Sequence, residues 1–355
     1  MNHRKTILAS LLALLLLAIG CNQNTPAPES NEKTAPTEQE ENQTMSQAQS
    51  LFGALPEAAS FERPVAKLGK KLYYEKALSA SGEMSCNSCH MLNNFGVDNE
   101  PTSPGHDKKT RGERNSPSVY NAYFHVAQFW DGRAADLTEQ AKGPVLNPIE
   151  MGMPGEAEVT ALLQNSEEYQ RLFAEAFPNA ENPVSFNNMA VAIAEFEKTL
   201  RTPAPFDAYV QGDETALTEQ QERGLETFIK VGCTTCHTGP GLGAQIYQKF
   251  GLFKGPYWEY TGSEKVDSGR VKVTGSGMDK FSFKVPALRN VAETYPYFHD
   301  GSVEDLSEAI RIMGITQLGK ELSDEEIEEI EAFLQSLTGE IPAHALQEDN
   351  SVALR

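Results

Sequence analysis

The sequence predicts a mainly α chain built as two related domains, and three observations carry that expectation. A Cys-X-X-Cys-His pattern occurs twice, at Cys86–His90 and Cys233–His237. Downstream of the first, Pro117, Asn121, Phe129, Asp131, Gly132, Asp136, Leu137 and Glu139 recur after the second as Pro286, Asn290, Phe298, Asp300, Gly301, Asp305, Leu306 and Glu308, all at an offset of 169. Each motif also follows a stretch with apolar residues at helical spacing. The 355 residues suffice for two domains of roughly 100 to 200 residues each.

Taken in order, the chain opens on a processing signal. Arg4 and Lys5 precede an apolar run from Ile7 to Ile19, shorter than the ~20 residues of a bilayer span. The run ends Ala18-Ile19-Gly20-Cys21, which resembles a bacterial lipobox. Residues 1–21 are therefore expected to be a lipoprotein-type signal peptide with Cys21 lipidated, the alternative being an ordinary cleaved signal with an incidental cysteine. Residues 22–50, rich in Asn, Gln, Glu, Thr and Pro, are expected to form a disordered tether that anchors a periplasmic protein to a membrane surface through lipid alone. The first domain is set at 51–205. It opens with an amphipathic helix from Pro64 to Ala77, bearing Val65, Leu68, Leu72 and Tyr73 on one face, and closes with a helix from Met189 to Leu200. Arg201 to Gln211 reads as the connector. The second domain, 206–340, opens with a helix from Thr218 to Ile229 capped by Thr218 and Gln221, and closes with one from Ser323 to Leu337 capped by Ser323 and Glu326. Residues 341–355 form a tail.

Charge and cysteine usage narrow the function. A net charge of -20 disfavours nucleic acid as a partner and suits a partner with a basic face, or solubility alone. The two motifs use four of the five cysteines and leave only Cys21. Two thiols and a histidine within one helical turn can bond to the vinyl groups of one haem and ligate its iron. Cys86 and Cys89 with His90, and Cys233 and Cys236 with His237, thus predict two covalently bound haem c groups in two cytochrome c-like domains. A thioredoxin-like pair or a zinc site is the competing reading, but zinc does not account for a histidine after both motifs.

Where the copies differ, labour should divide. Met313 lies thirteen residues beyond Asp300, late in a helical segment from Val303 to Ile312, and its thioether could be the sixth ligand of the second haem; Met278 is the rival. The equivalent of Met313 in the first copy is Pro144, which cannot ligate iron. Either another residue, His106 or His125, serves there, or the position is open to a small molecule. His125, among Tyr123, Phe124 and Val126, reads as a packed residue.

The chain resembles the bacterial di-haem cytochrome c peroxidases from about Leu51 to Gly339. The resemblance rests on Cys86-Asn-Ser-Cys-His90, Gly105-His106, Asn115-Ser-Pro117, Ala127-Gln-Phe-Trp-Asp-Gly-Arg133, Glu139-Gln-Ala141, Gly143-Pro144, Asn147-Pro148, Glu150-Met151, Leu288-Arg-Asn-Val291, Pro296-Tyr-Phe-His-Asp-Gly301 and Gln317-Leu-Gly319. It implies a low-potential peroxidatic first haem held by His90 and a displaceable His106, and a high-potential second haem held by His237 and Met313. It implies Glu150 as acid and base toward hydrogen peroxide, Gln140 as the residue that orients the peroxide, and Trp130 as an electron bridge between the haems. Without the resemblance, Glu150 reads as an exposed loop residue, Gln140 as a helix-surface residue and Trp130 as a core aromatic. It further implies a calcium ion at Asn115, Thr294 and Pro296, the last two through carbonyl oxygens. The expected electron donor is a small cytochrome c or copper protein, and the expected assembly a homodimer.

Overall fold

The computed structural model describes residues 38–346, with side chains from residue 43 onward; the signal expected over 1–21 and most of the tether lie outside them. The chain is mainly helical: α1 (Glu38–Leu51), α2 (Pro64–Tyr74), α3 (Leu137–Leu146), α4 (Glu156–Gln164), α5 (Glu167–Ala176), α6 (Phe186–Glu197), α7 (Pro205–Val210), α8 (Glu219–Val231), α9 (Trp258–Thr261), α10 (Val271–Thr274), α11 (Leu306–Leu318), α12 (Asp324–Gln335) and α13 (Ala343–Leu346). A two-stranded antiparallel pair, β1 (Tyr247–Lys249) and β2 (Ser282–Lys284), registers Gln248 against Phe283. No described helix is long and apolar enough to cross a membrane.

The duplication is built into the backbone. Asn121 and Asn290 both take positive φ (61° each), as do Phe129 and Phe298 (65° and 70°) and Gly132 and Gly301 (68° and 60°). Left-handed backbone at a phenylalanine is costly and persists only where the surroundings hold it. Here an isolated bridge closes over each turn, Gln128 with Ala134 and Tyr297 with Val303. Asp136 and Asp305 then cap α3 and α11 by accepting the Glu139 and Glu308 amides. The two repeats meet at Thr202, whose hydroxyl accepts from both Asn121 Nδ2 (2.8 Å) and Asn290 Nδ2 (2.9 Å).

Each half also crosses its first and last helices on a glycine. A Cβ on Gly69 of α2 would lie 1.8 Å from the Ala192 carbonyl oxygen of α6, and one on Gly224 of α8 would lie 1.9 Å from that of Glu329 in α12. The first core gathers Leu68, Leu72, Tyr73, Met189, Ile193 and Phe196; the second gathers Leu225, Phe228, Ile330, Phe333 and Leu334.

Several boundaries move. The tether expected over 22–50 is helical from Glu38, because Met45, Ala48 and Phe52 have an apolar surface to bury, and that surface is the second core. The opening helix of the first half stops at Tyr74 rather than Ala77, giving way to a short turn over Lys76–Leu78 whose cap is Glu75. The closing helix runs Phe186–Glu197, three residues earlier than expected, because Ser185 caps it. The connector over Arg201–Gln211 contains α7 and is buried: Asp207 accepts from both Arg289 terminal nitrogens (2.6 and 2.9 Å) and from the Leu55 and Ala204 amides. The tail from residue 341 returns to the first core, where Ala345 is fully buried, Tyr74 donates to its carbonyl, and His344 stacks on Phe61 at 4.5 Å.

Candidate active site

Both Cys-X-X-Cys-His motifs fold as a single tight turn. Residues Cys86–Ser88 and Cys233–Thr235 are 3-10 helical, and the His90 and His237 amides each donate to the carbonyl of the first cysteine, at 3.0 Å. That brings two thiols and an imidazole to one side of one turn, the arrangement a covalently bound haem requires. None of these four cysteines forms a disulfide. Burial pushes the thiols of Cys86 and Cys233 up to about 12 and that of Cys89 up to about 11. A thioredoxin-like pair needs the opposite shift. Among the described residues no group of three or more His, Cys, Asp or Glu side chains converges to hold a metal.

The imidazoles fit haem in different ways. His237 Nδ1 faces the Leu242 carbonyl at 2.9 Å, which fixes the ring and leaves Nε2 for iron. His90 is held from behind, with Tyr73 donating to its carbonyl at 2.6 Å, and its Nδ1 is buried without a hydrogen-bond partner. The orphaned buried imidazole nitrogen of His90, in the first attachment turn, is the mark of a site shaped around something more than the chain itself. Burial lowers the pKa of both His90 and His237, keeping them neutral and able to ligate.

In the first half a cavity of about 390 Å³ is lined by Phe129, Arg133, Gly143, Pro144, Asn147 and Glu150, among others. Pro144 and Glu150 thus line the same cavity. Burial raises the Glu150 carboxyl above its ordinary range, opposed by Arg133 and by a hydrogen bond from Asn147. Arg133 itself lies over the Phe129 ring at 3.5 Å. Sequence reasoning gave Arg133 no role; its signal was its place in the Phe129–Arg133 run.

His106 sits on a loop tied to the same cavity: its amide donates to the Glu150 carbonyl at 2.8 Å, and its ring lies against Gly152, where a Cβ would come within 2.6 Å of Nε2. Gln140 is on α3, partly buried, and is not among the cavity's lining residues. Trp130 is likewise outside that lining. It packs on the aromatic cluster of the second half, with its indole N–H donating to the Asn115 carbonyl at 2.9 Å.

In the second half Met313 lies within α11 and packs against the cluster of Phe250, Tyr257 and Ile312. Met278, its rival, is 91% exposed on a turn. His125 is indeed a packed residue, its Nδ1 3.0 Å from Lys284 Nζ. That lysine also donates to the Ala127 carbonyl, and burial pushes its ammonium down to about 7. At the seam between the halves, Asn115 Nδ2 is 2.6 Å from the Pro296 carbonyl, and the Asn115 amide donates to His299. Thr294 lies two residues before Pro296 on the same loop. A network absent from the sequence reading closes the seam: Arg114 pairs with Asp131 at 2.7 Å and with Asp267 at 2.6 Å.

Comparison with known proteins agrees with this architecture. Residues 63–215 match the model of the di-haem cytochrome c peroxidase family, and residues 221–338 match the cytochrome c model. The chain is 49% identical to cytochrome c551 peroxidase of Pseudomonas aeruginosa, covering 83% of this chain and 86% of that one. It is 40% identical to cytochrome c551 peroxidase of Nitrosomonas europaea, covering 96% and 93%. Among solved structures it resembles a MauG-like protein associated with microbial copper homeostasis, with a TM-score of 0.71 and 28% identity over 84% of this chain and 96% of that one.

Two cytochrome c-like halves around two haem-attachment turns define a di-haem c-type cytochrome, and the chain belongs to the di-haem cytochrome c peroxidase family. It is accordingly a peroxidase, an oxidoreductase carrying two haem c groups.

Proposed function

We propose that this peroxidase reduces hydrogen peroxide to water at its first half, with electrons from a small cytochrome c or copper protein delivered through the second. The observation that carries the assignment is that Pro144 and Glu150 line one cavity, where the second repeat has Met313 instead of Pro144. A thioether is thus available to one half and a carboxylate with open space to the other.

Cys86, Cys89, His90 and His106 would hold the first haem, and Cys233, Cys236, His237 and Met313 the second. Bound haem supplies iron that exchanges electrons and, where a position opens, accepts a small ligand. Glu150 takes a proton from one peroxide oxygen and returns it to the other, which departs as water; a carboxylate within reach of both oxygens serves for both transfers. Arg133 favours the ionised form of Glu150 that begins the cycle, whereas Gln140, expected to orient the peroxide, lies on α3 outside the cavity lining. The bond between the His106 amide and the Glu150 carbonyl supports a concerted opening of the first site, in which His106 withdraws as the wall carrying Glu150 shifts. Trp130 passes electrons between halves, supported by its position in the Asn115 seam.

The remaining expectations stand as proposals on the resemblance. The haem domains are taken as 51–205 and 206–340, the protein as a periplasmic homodimer tethered by lipid at Cys21, and a calcium ion as bound by Asn115, Thr294 and Pro296. The meeting of Asn115 with the Pro296 carbonyl supports that ion, since rotating the amide would offer its oxygen in the same place.

Steady-state consumption of peroxide with reduced cytochrome c tests the reading. Glu150→Gln should lose turnover while both haem spectra persist, and near-normal turnover would refute its role. His106→Ala should act without prior reduction, and continued need for reduction would remove His106 as the gate.

A further inference from the structure

We propose that Trp130, His299, Tyr257 and Trp258 form a discharge route: when peroxide outruns the electron donor, electrons pass inward from Trp258, and oxidative damage falls there rather than at Trp130. The proposal rests on the reading of Trp130 as the bridge between halves.

The route is a series of edge-to-face contacts. Trp130 and His299 have ring centroids 6.3 Å apart at 70°, His299 and Tyr257 5.2 Å apart at 75°, and Tyr257 and Trp258 5.2 Å apart at 83°. All fall within the range of aromatic contact, so no gap interrupts the series. Its surroundings define it. Phe250, Phe281 and Phe283 pack around Tyr257 and His299, and phenylalanine is far harder to oxidise than tyrosine or tryptophan. His299 and Tyr257 are buried, whereas Trp258 is partly exposed at the start of α9.

Proton placement decides which ring bears the lasting change. The Tyr257 hydroxyl sits between the Asp267 amide, which donates to it at 3.0 Å, and the Asp267 carbonyl, which accepts from it at 3.2 Å. Neither is a base, so Tyr257 keeps its proton and serves as a bridge. Trp258 can release protons to water.

The balance closes. Hydrogen peroxide takes two electrons and two protons and becomes two waters. Trp258 gives up those electrons one at a time, releases two protons and takes one oxygen from water. The net change is tryptophan plus hydrogen peroxide to hydroxytryptophan plus water.

Peptide mapping by mass spectrometry of the holoenzyme tests this, with peroxide in excess and reduced cytochrome c absent or present. Without donor, Trp258 should gain one oxygen before Trp130 does, and donor at the same peroxide concentration should suppress the change severalfold. Met278, 91% exposed, reacts with peroxide in bulk and should form sulfoxide equally in both, an internal control. Trp258→Phe should keep its haem spectra and donor-driven turnover, yet show oxidation at Trp130 and faster inactivation without donor. Trp258 oxidation that merely tracks Met278, or a variant inactivated at the wild-type rate, overturns the route. Absence of donor-driven turnover in the wild type would instead overturn the peroxidase reading beneath it.

Discussion

Asp207 and Arg289 form a pair whose side chains are 5% and 1% exposed, and it illustrates how single residues fix this molecule. Both Arg289 terminal nitrogens meet Asp207, and Arg289 Nε donates to the Pro240 carbonyl, just after the second haem-attachment turn. Two charges withdrawn from water are tolerable only with their partners present. Asp207→Ala should therefore cost about 3–5 kcal/mol, since it strands a buried guanidinium and two backbone amides. The shift in denaturant midpoint measures it. Arg289→Lys should recover only part of the loss, because an ammonium cannot span both carboxylate oxygens. None of this partnership was legible in the chain, where 82 positions separate the two residues.

At the scale of elements, the helix crossings in each half depend on a missing side chain. Gly224→Ala improves helix propensity by about 1 kcal/mol. It also drives a methyl to 1.9 Å from the Glu329 carbonyl oxygen, and overpacking of that kind costs about 1–3 kcal/mol. The clash should win, and thermal unfolding of the variant should begin at a lower temperature than in the parent. A second device sits in α6. Burial raises the carboxyl of Glu197 to about 8. The folded chain therefore holds this proton where the unfolded chain, near 4.5, has released it. The folded state binds more protons between those values, so stability contributed here is present below about 4.5 and declines as pH rises through about 8. Glu197→Gln should flatten that part of the stability–pH curve and exceed the parent at alkaline pH. Equal slopes in urea titrations of the two proteins would rule the effect out. The caps at Thr218 and Ser323 were legible, since each announces itself by its spacing to Gln221 and Glu326, whereas Asp136 and Asp305 showed in the chain only as members of the repeat. The glycine crossings were not, because each depends on a carbonyl more than a hundred residues away.

For the whole molecule, the first and last described segments each pack on the other half. The N-terminal α1 joins the second core, and the C-terminal segment joins the first. His344 contributes a stacked contact with Phe61 and a hydrogen bond to Thr199 at 2.9 Å. Its replacement by Ala should cost about 1–2 kcal/mol from the lost stacking and hydrogen bond. Hydrogen exchange should report the loss in α2 and α6, not in α8 and α12, although the latter pair is nearer in sequence. Protection lost from α8 and α12 instead would contradict the packing of the segment bearing His344 on the first core.

The sequence by itself determined the two haem-attachment turns, the duplication, the helical class and the inequality of Pro144 and Met313. Each depends on residue type and on short or repeated spacing, which a chain displays without folding. Only the tertiary structure decided that Met278 is surface and Met313 packed, that Glu150 and Pro144 line a cavity from whose lining Gln140 is absent, and that Trp130 lies against the aromatic cluster of the opposite half. Those are matters of burial and of contact between distant segments. Burial also shifts the Glu150 carboxyl, and no local pattern in the chain encodes it.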